Sequence, residues 1–322
     1  MHRWLGTLAL AGLVVCGAAT SAQEAAAPSS EAKGVKVGTF PQQVSKKFAS
    51  AQGLPSNDVL SVAVLASGDV VVGTANGAAV FSNGQWSTIS ASQGYGVPRV
   101  AAKGNGFVAL TEGGLYEVGE GNVAQLGVVP SEAGTVHDMV TAGEMVLLGT
   151  ENGLYAVEGG RVEPAAELND LLGAEKSVRQ IAVGPDGRGA VAAKAGLFER
   201  TADGNIQALT PRDGTRSWAP FDVRGVAYDS RGRLWFASPQ GVGVRDGETW
   251  TLYTGREGLP YNDFSGMAAA PDGSVWFGTK IGAIRFDGRN WEYREGLRWL
   301  PGNEVREVAV GPQGRAWFAT DG

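Results

Sequence analysis

Chemistry in this chain has few residues to work with. The 322-residue sequence holds two histidines and one cysteine, and His2 and Cys16 both fall near its start. Past residue 22, His137 is the only imidazole and there is no thiol. A Ser-His-Asp set, a Cys-His zinc cluster and a phosphate loop cannot be assembled from these parts. Asp246-Gly247, Asp272-Gly273 and Asp287-Gly288 offer one carboxylate per turn. A hard cation takes about six oxygens or more, so turn chemistry explains these pairs better than calcium does. The sequence therefore assigns no catalytic residue, no metal ligand and no cofactor.

Recognition of charge is better supplied. Superposing the repeats described below on Val223, Phe264 and Val305 puts Leu60, Pro98, His137, Arg179, Arg224, Ser265 and Arg306 in one equivalent position. The next position collects Ser61, Arg99, Asp138, Gln180, Gly225, Gly266 and Glu307. A guanidinium offers a planar fork to a carboxylate. Arg99, His137, Arg179, Arg224 and Arg306 are thus candidates for an anion clamp at the mouth of a central channel. The plain alternative is that the arginines pair with Asp138, Glu307 or loop acids and plug that channel. Trp218, Tyr261 and Trp299 lie off the repeat in loops, where they suit sugar faces or, equally, packing against the scaffold.

These positions exist only because the chain repeats. Gly73-Thr74, Leu110-Thr111, Gly149-Thr150, Ala192-Ala193, Ala237-Ser238, Gly278-Thr279 and Ala319-Thr320 recur at intervals of 37 to 45 residues. Around each, turn residues alternate with short β-rich runs, as in Asp272-Gly273-Ser274-Val275-Trp276-Phe277-Gly278-Thr279. A period of roughly 40 residues with about four strands is the sequence sign of a β-propeller. Seven anchors predict an all-β, seven-bladed propeller with four-stranded blades. The last repeat stops after two strands. Gly34–Phe40 and Lys46–Gln52 resemble the two missing ones, so the N-terminal strands are expected to complete the last blade and close the ring. Trp235, Trp276 and Trp317, spaced 41 residues apart, read as packing between blades. Ala165, Leu168 and Leu172 have helical spacing. Thr210 to Phe221 reads as a long connection.

Composition agrees. The 49 glycines fall at repeat turns, and the net charge of −6 without a basic run argues against nucleic acid and anionic membranes as main partners. Arg3, the apolar run Leu5–Val15 and Thr20-Ser21-Ala22 read as a secretory signal peptide. The expected organisation is a signal peptide at 1–22, a disordered tether at 23–33 and a propeller at 34–322. That implies a periplasmic or secreted protein, with lipid attachment at Cys16 the lesser alternative, and no transmembrane span in the mature chain. A monomer is expected.

Leu54-Pro55-Ser56-Asn57-Asp58, Leu259-Pro260-Tyr261-Asn262-Asp263, the Asp-Gly-x-Val-Trp-Phe-Gly-Thr run ending at Thr279 and Phe286-Asp287-Gly288-Arg289-Asn290-Trp291 resemble the two-component regulator propeller family. Leu300-Pro301-Gly302-Asn303-Glu304 is a variant of the first element. The resemblance implies a periplasmic sensor region for carbohydrate-derived ligands, here without a kinase or DNA-binding segment. A second resemblance is to streptogramin B lyase-type propellers, which depend on histidine and a divalent metal; with His137 alone this chain has too few parts for that chemistry. The expectation is an exported, non-catalytic ligand-binding or sensory module for an anionic or carbohydrate-derived ligand. The alternatives are a lyase or glycan-acting hydrolase, and a protein-interaction scaffold that docks a periplasmic or extracellular protein.

Overall fold

A computed structural model describes residues 13–18, 43–119 and 121–321. The repeat unit is one antiparallel sheet of four strands, here lettered a to d from the axis outward. Blade one is Val59–Val64, Val70–Thr74, Gly77–Ser82 and Gln85–Thr88. Blade three is Val136–Ala142, Met145–Thr150, Gly153–Glu158 and Arg161–Pro164. Blade four is Val178–Val183, Gly189–Ala193, Gly196–Arg200 and Ile206–Ala208. Blade six is Phe264–Ala269, Val275–Thr279, Gly282–Phe286 and Trp291–Glu295. Blades two and five begin at Arg99–Lys103 and Gly225–Tyr228.

The Gly-Thr anchors have a local cause. Thr74, Thr150 and Thr279 are fully buried, and each hydroxyl donates across the following turn to the carbonyl of Gly77, Gly153 or Gly282 at 2.8–2.9 Å. The same oxygens accept the N–H of Asn76, Asn152 and Ile281. Gly282 sits at φ 147°, and a Cβ there would lie 2.1 Å from the Arg294 carbonyl of strand d, so no other residue fits. The Asp-Gly turns behave likewise: Asp272 accepts the Ser274 N–H and Asp287 accepts those of Arg289 and Asn290.

The expected seven-bladed ring is corrected. The propeller has six blades of four antiparallel strands each, every one drawn from a continuous stretch of chain. The seventh anchor, Ala319-Thr320, ends a two-stranded hairpin, Val305–Val310 with Ala316–Thr320, and not a complete repeat. That hairpin joins a composite sheet whose other strands are Leu13–Ala18 and Gln43–Phe48. The strand beside Ala316–Thr320 is thus Leu13–Ala18, inside the segment expected to be a leader. Gly34–Phe40, expected in that place, lies outside the described residues, as do the cleavage point near Ala22 and the tether at 23–33. Counting strand-b anchors overcounts blades because an anchor marks a hairpin, which a four-stranded unit shares with this shorter one.

Neighbouring innermost strands touch all the way round the axis, with Val305–Val310 between those of blades six and one. The core lies between the sheets. Trp235, at 1 % exposure, stacks on Tyr253 and meets Phe286 of the next blade. Trp276 meets Phe318 edge-on, and Trp317 packs against Phe48, Phe81 and Trp86. These tryptophans are inter-blade packing, as their spacing predicts. Ala166–Leu172 is the short helix that the spacing predicts, burying Leu168 and Leu172. The connection from Thr210 to Phe221 folds into a small hairpin, Arg212–Asp213 with Arg216–Ser217. It lies against Thr249–Tyr253, strand d of blade five, where Asp213 accepts the Leu252 N–H and Arg216 donates to the Leu252 carbonyl.

Candidate functional site

The candidate ring is set by a backbone irregularity that the sequence does not reveal. In five inner strands the register with strand b slips between Val59 and Ser61, Val136 and Asp138, Val178 and Gln180, Phe264 and Gly266, and Val305 and Glu307. The skipped residues are Leu60, His137, Arg179, Ser265 and Arg306. A bulge places two residues opposite one and re-aims the extra side chain. Here it puts His137, Arg179 and Arg306 at the leading end of strand a. Arg224 reaches the equivalent place just ahead of its strand, its N–H bonded to the Ala237 carbonyl.

The residue after each bulge is used differently. Strand a is the inner edge of its sheet, and its free N–H groups need acceptors. Ser61 Oγ accepts the Val100 N–H at 3.0 Å, Asp138 Oδ2 that of Ile181 at 2.7 Å, and Glu307 Oε2 that of Val62 at 3.0 Å. Arg99 Nε donates to the His137 carbonyl at 2.7 Å. Where Gly225 and Gly266 have no side chain, Gln180 spans the gap and accepts from both Val226 and Met267 at 3.1 Å. The result is a belt of side-chain bridges joining blade to blade across the channel. Beyond it lies a space of about 390 Å³ walled by strand-a side chains such as Val64, Val140 and Val310.

Burial, and then the charge of Asp138, push the Glu307 carboxyl up to about 7 against the opposing pull of Arg99 and the Ser61 and Val62 hydrogen bonds. Burial likewise pushes Asp138 up, opposed by Arg99 and backbone N–H groups. Two buried acids of raised pKa in a channel is what an acid–base enzyme would need. Both are already held by a neighbouring blade's backbone, and that is a structural task.

At the mouth, the ring cations divide. Arg224 makes a forked contact to Asp222, at 3.0 Å from Nε and 2.8 Å from Nη2, and a second ion pair to Asp263. Arg306 pairs with Asp58. Asp58 and Asp263 are the last residues of the Leu-Pro-x-Asn-Asp elements, so that motif supplies the acid that neutralises the arginine of the preceding repeat. Among the described residues Arg179 has only Asp222, at 3.9 Å, a carboxylate already forked by Arg224. Its Nε is buried and has no hydrogen-bond partner among the described residues. An unmade bond of that kind costs about 1–3 kcal/mol.

Arg179 and His137 line a cleft of about 460 Å³ at the leading ends of blades three and four. Lys194, paired with Glu175 at 2.5 Å, Lys176, Glu151 and Asn152 share its wall. Burial, followed by the charges of Arg179 and Arg99, holds the His137 imidazole below its ordinary range, with Glu151 opposing. At neutral pH His137 is therefore uncharged. Sequence reasoning missed Lys176, Lys194, Glu151, Glu175 and Asn152, which lie in b–c turns and in a d-to-a connection; only the alignment of the turns on the anchors would have found them.

The loop aromatics do not converge on this cleft. Trp218 meets Phe236 edge-on at 6.2 Å, Tyr261 packs into the core between blades five and six, and Trp299 lies under the Arg294 guanidinium at 4.8 Å. All three are half-buried. Among the described residues there is no group of three or more His, Cys, Asp or Glu able to hold a metal ion. No helix among them is long and apolar enough to cross a membrane.

No family model and no curated protein matches the chain. Solved structures do. The extracellular domain of the putative hybrid two-component system BT3049 from B. thetaiotaomicron matches with a TM-score of 0.61 at 17% identity, over 81% of this chain and 39% of that one. The corresponding domain of BT4673 matches at 0.63 and 16%, over 82% and 37%. The chain thus spans well under half the length of either domain. A streptogramin B lyase matches at 0.63 and 14%, over 84% of this chain and 92% of that chain. At these identities the likeness is one of fold, and the class it defines is the β-propeller. Both resemblances read from the repeats are represented among these structures.

Proposed function

We propose that this chain is an exported, non-catalytic ligand-binding or sensory propeller that takes an anionic or carbohydrate-derived ligand at the mouth formed by His137, Arg99, Arg179, Arg224 and Arg306. The observation that carries this reading is the repeated bulge, which delivers His137, Arg179 and Arg306 to one end of the channel. Likeness to extracellular domains of two-component systems supports the sensory half. The half-buried Trp218, Tyr261 and Trp299 are rim residues that frame the mouth and do not stack on the ligand. The location is the periplasm or the extracellular space, and the chain acts as a monomer.

The lyase or hydrolase reading would rest on Asp138 and Glu307. Their use as acceptors for the Ile181 and Val62 N–H groups ranks it second. A calorimetric screen of acidic and neutral oligosaccharides against wild type and an Arg179→Ala, Arg224→Ala, Arg306→Ala variant tests the proposal. The expected result is binding of acidic members that weakens with salt and is lost in the variant. Equal binding by both proteins would put the site elsewhere.

A further inference from the structure

We infer that the cleft between blades three and four is a site for a sugar acid: a compact ligand with one carboxylate and several hydroxyl groups. This deepens the mouth reading and rests on it, but it moves the site off the axis and names the ligand's chemistry.

Three observations carry it. Of the three arginines that share the His137 position, Arg179 alone has no close carboxylate partner among the described residues, whereas Arg224 and Arg306 are each committed to acids. The Arg179 side chain is half-buried and its Nε is closed off from the cleft, so a carboxylate meets the guanidinium at its terminal Nη edge, where a bidentate contact is the strong one. Second, the cleft is the right size. About 460 Å³ holds a pyranose ring with room for ordered water, and it is too small for an extended chain to lie within. Third, its wall carries both signs. Lys194 and Arg179 suit a carboxylate, while Glu151, Glu175 and Asn152 are acceptors for hydroxyl donors. Lys176, Lys194 and Arg179 against the two glutamates leave one positive charge over, which matches a polyhydroxylated monocarboxylate better than doubly charged inorganic phosphate. The neutral His137 ring supplies one further polar contact without adding charge.

Isothermal titration of the full chain with galacturonate, galactose and inorganic phosphate tests this. Galacturonate is expected to bind, with galactose and phosphate at least tenfold weaker. Loss of one charge-assisted bidentate contact corresponds to about a tenfold to hundredfold loss of affinity. Arg179→Gln should therefore weaken galacturonate by that factor, and Lys194→Gln, at an exposed position, by less, both with unchanged melting temperature. The Arg224→Gln, Arg306→Gln pair, whose arginines are committed to acids, should weaken galacturonate by less than Arg179→Gln does. The inference falls if galacturonate fails to bind at millimolar concentration, if phosphate binds as tightly, or if Arg179→Gln has no effect. If affinity is lost in the Arg224, Arg306 pair and kept in Arg179→Gln, the off-axis cleft is wrong and the mouth reading stands. If acidic oligosaccharides bind all variants alike, the mouth reading fails as well.

Discussion

Two sectors of the same mouth use the same residue in opposite ways. In the sector of blades five, six and one, Arg224 and Arg306 are tied to Asp222, Asp263 and Asp58. In the sector of blades three and four, Arg179 stands 3.9 Å from a shared carboxylate, beside an open cleft. Each arginine faces the acid before strand a of the following repeat, Asp263 for Arg224, Asp58 for Arg306 and Asp222 for Arg179, but Asp222 is forked by Arg224 and so stands off from Arg179. Asp58 and Asp263 occupy that place where the Leu-Pro-x-Asn-Asp element is present, and Asp222 occupies it in blade five. Thr135 and Ser177 occupy it in blades three and four, and neither brings a charge. The repeats that follow their motif closely have spent their polar groups on one another. The repeats that depart from it have groups left over, and those are the ones available to a ligand.

The largest expected effect comes from the motif-rich sector's core. Trp235→Ala removes a ring stacked between blades, together with the Nε1–H bond to Asp229 at 2.9 Å. It should cost about 3–5 kcal/mol in chemical denaturation. Strand b of blade four carries Ala190 at the equivalent place, so no tryptophan holds that sector. A cost below about 1 kcal/mol for Trp235→Ala would mean that the two sectors are not held differently.

The belt gives an effect of intermediate size, with a sign. Glu307 titrates at about 7 folded against 4.5 unfolded, so between those values the folded chain holds a proton that the unfolded chain has lost. Its stabilising contribution is complete below pH 4.5 and is lost as pH rises to about 7, at up to about 1.4 kcal/mol per pH unit. Glu307→Gln keeps an acceptor for the Val62 N–H and removes the titration. Its melting temperature should match wild type near pH 4.5 and exceed it at pH 8. The raised Asp138 remains, so the slope should shrink and not vanish. Equal slopes in the two proteins would remove Glu307 from the belt.

The smallest effect separates the two sets of arginines. Asp58→Ala, which unpairs Arg306, should cost about 1 kcal/mol, and Asp263→Ala, which leaves Arg224 its Asp222 fork, somewhat less, since these pairs are only partly buried. Arg179→Ala removes the buried, unmade Nε–H bond and should be neutral or stabilising. Thermal melts at two salt concentrations check this. A loss for Arg179→Ala as large as for the other two would show that Arg179 is also a strut.

The repeat, its strand boundaries and the tryptophan packing were legible because each rests on local rules: Asp-Gly turns, the Thr hydroxyl across the b–c turn, and alternation along a strand. The blade count was not, because an anchor cannot tell a four-stranded unit from a hairpin that borrows strands from the other end of the chain. The ring of His137, Arg179 and Arg306 was legible as an alignment column, but its cause was not, since a bulge leaves no mark in residue type. Asp58 and Asp263 were visible in a quoted motif. Their role as partners was hidden, because each pairs with an arginine distant in sequence, nearly one repeat away for Asp263 and at the opposite end of the chain for Asp58.

The most direct test is a two-dimensional spectrum of the arginine Nε–H groups, assigned by single Arg→Lys variants and titrated with galacturonate. The account predicts that the Arg224 and Arg306 signals are rigid and protected before ligand is added and stay in place throughout. The Arg179 signal should shift as galacturonate saturates. Movement of Arg224 or Arg306 with a stationary Arg179 would contradict it.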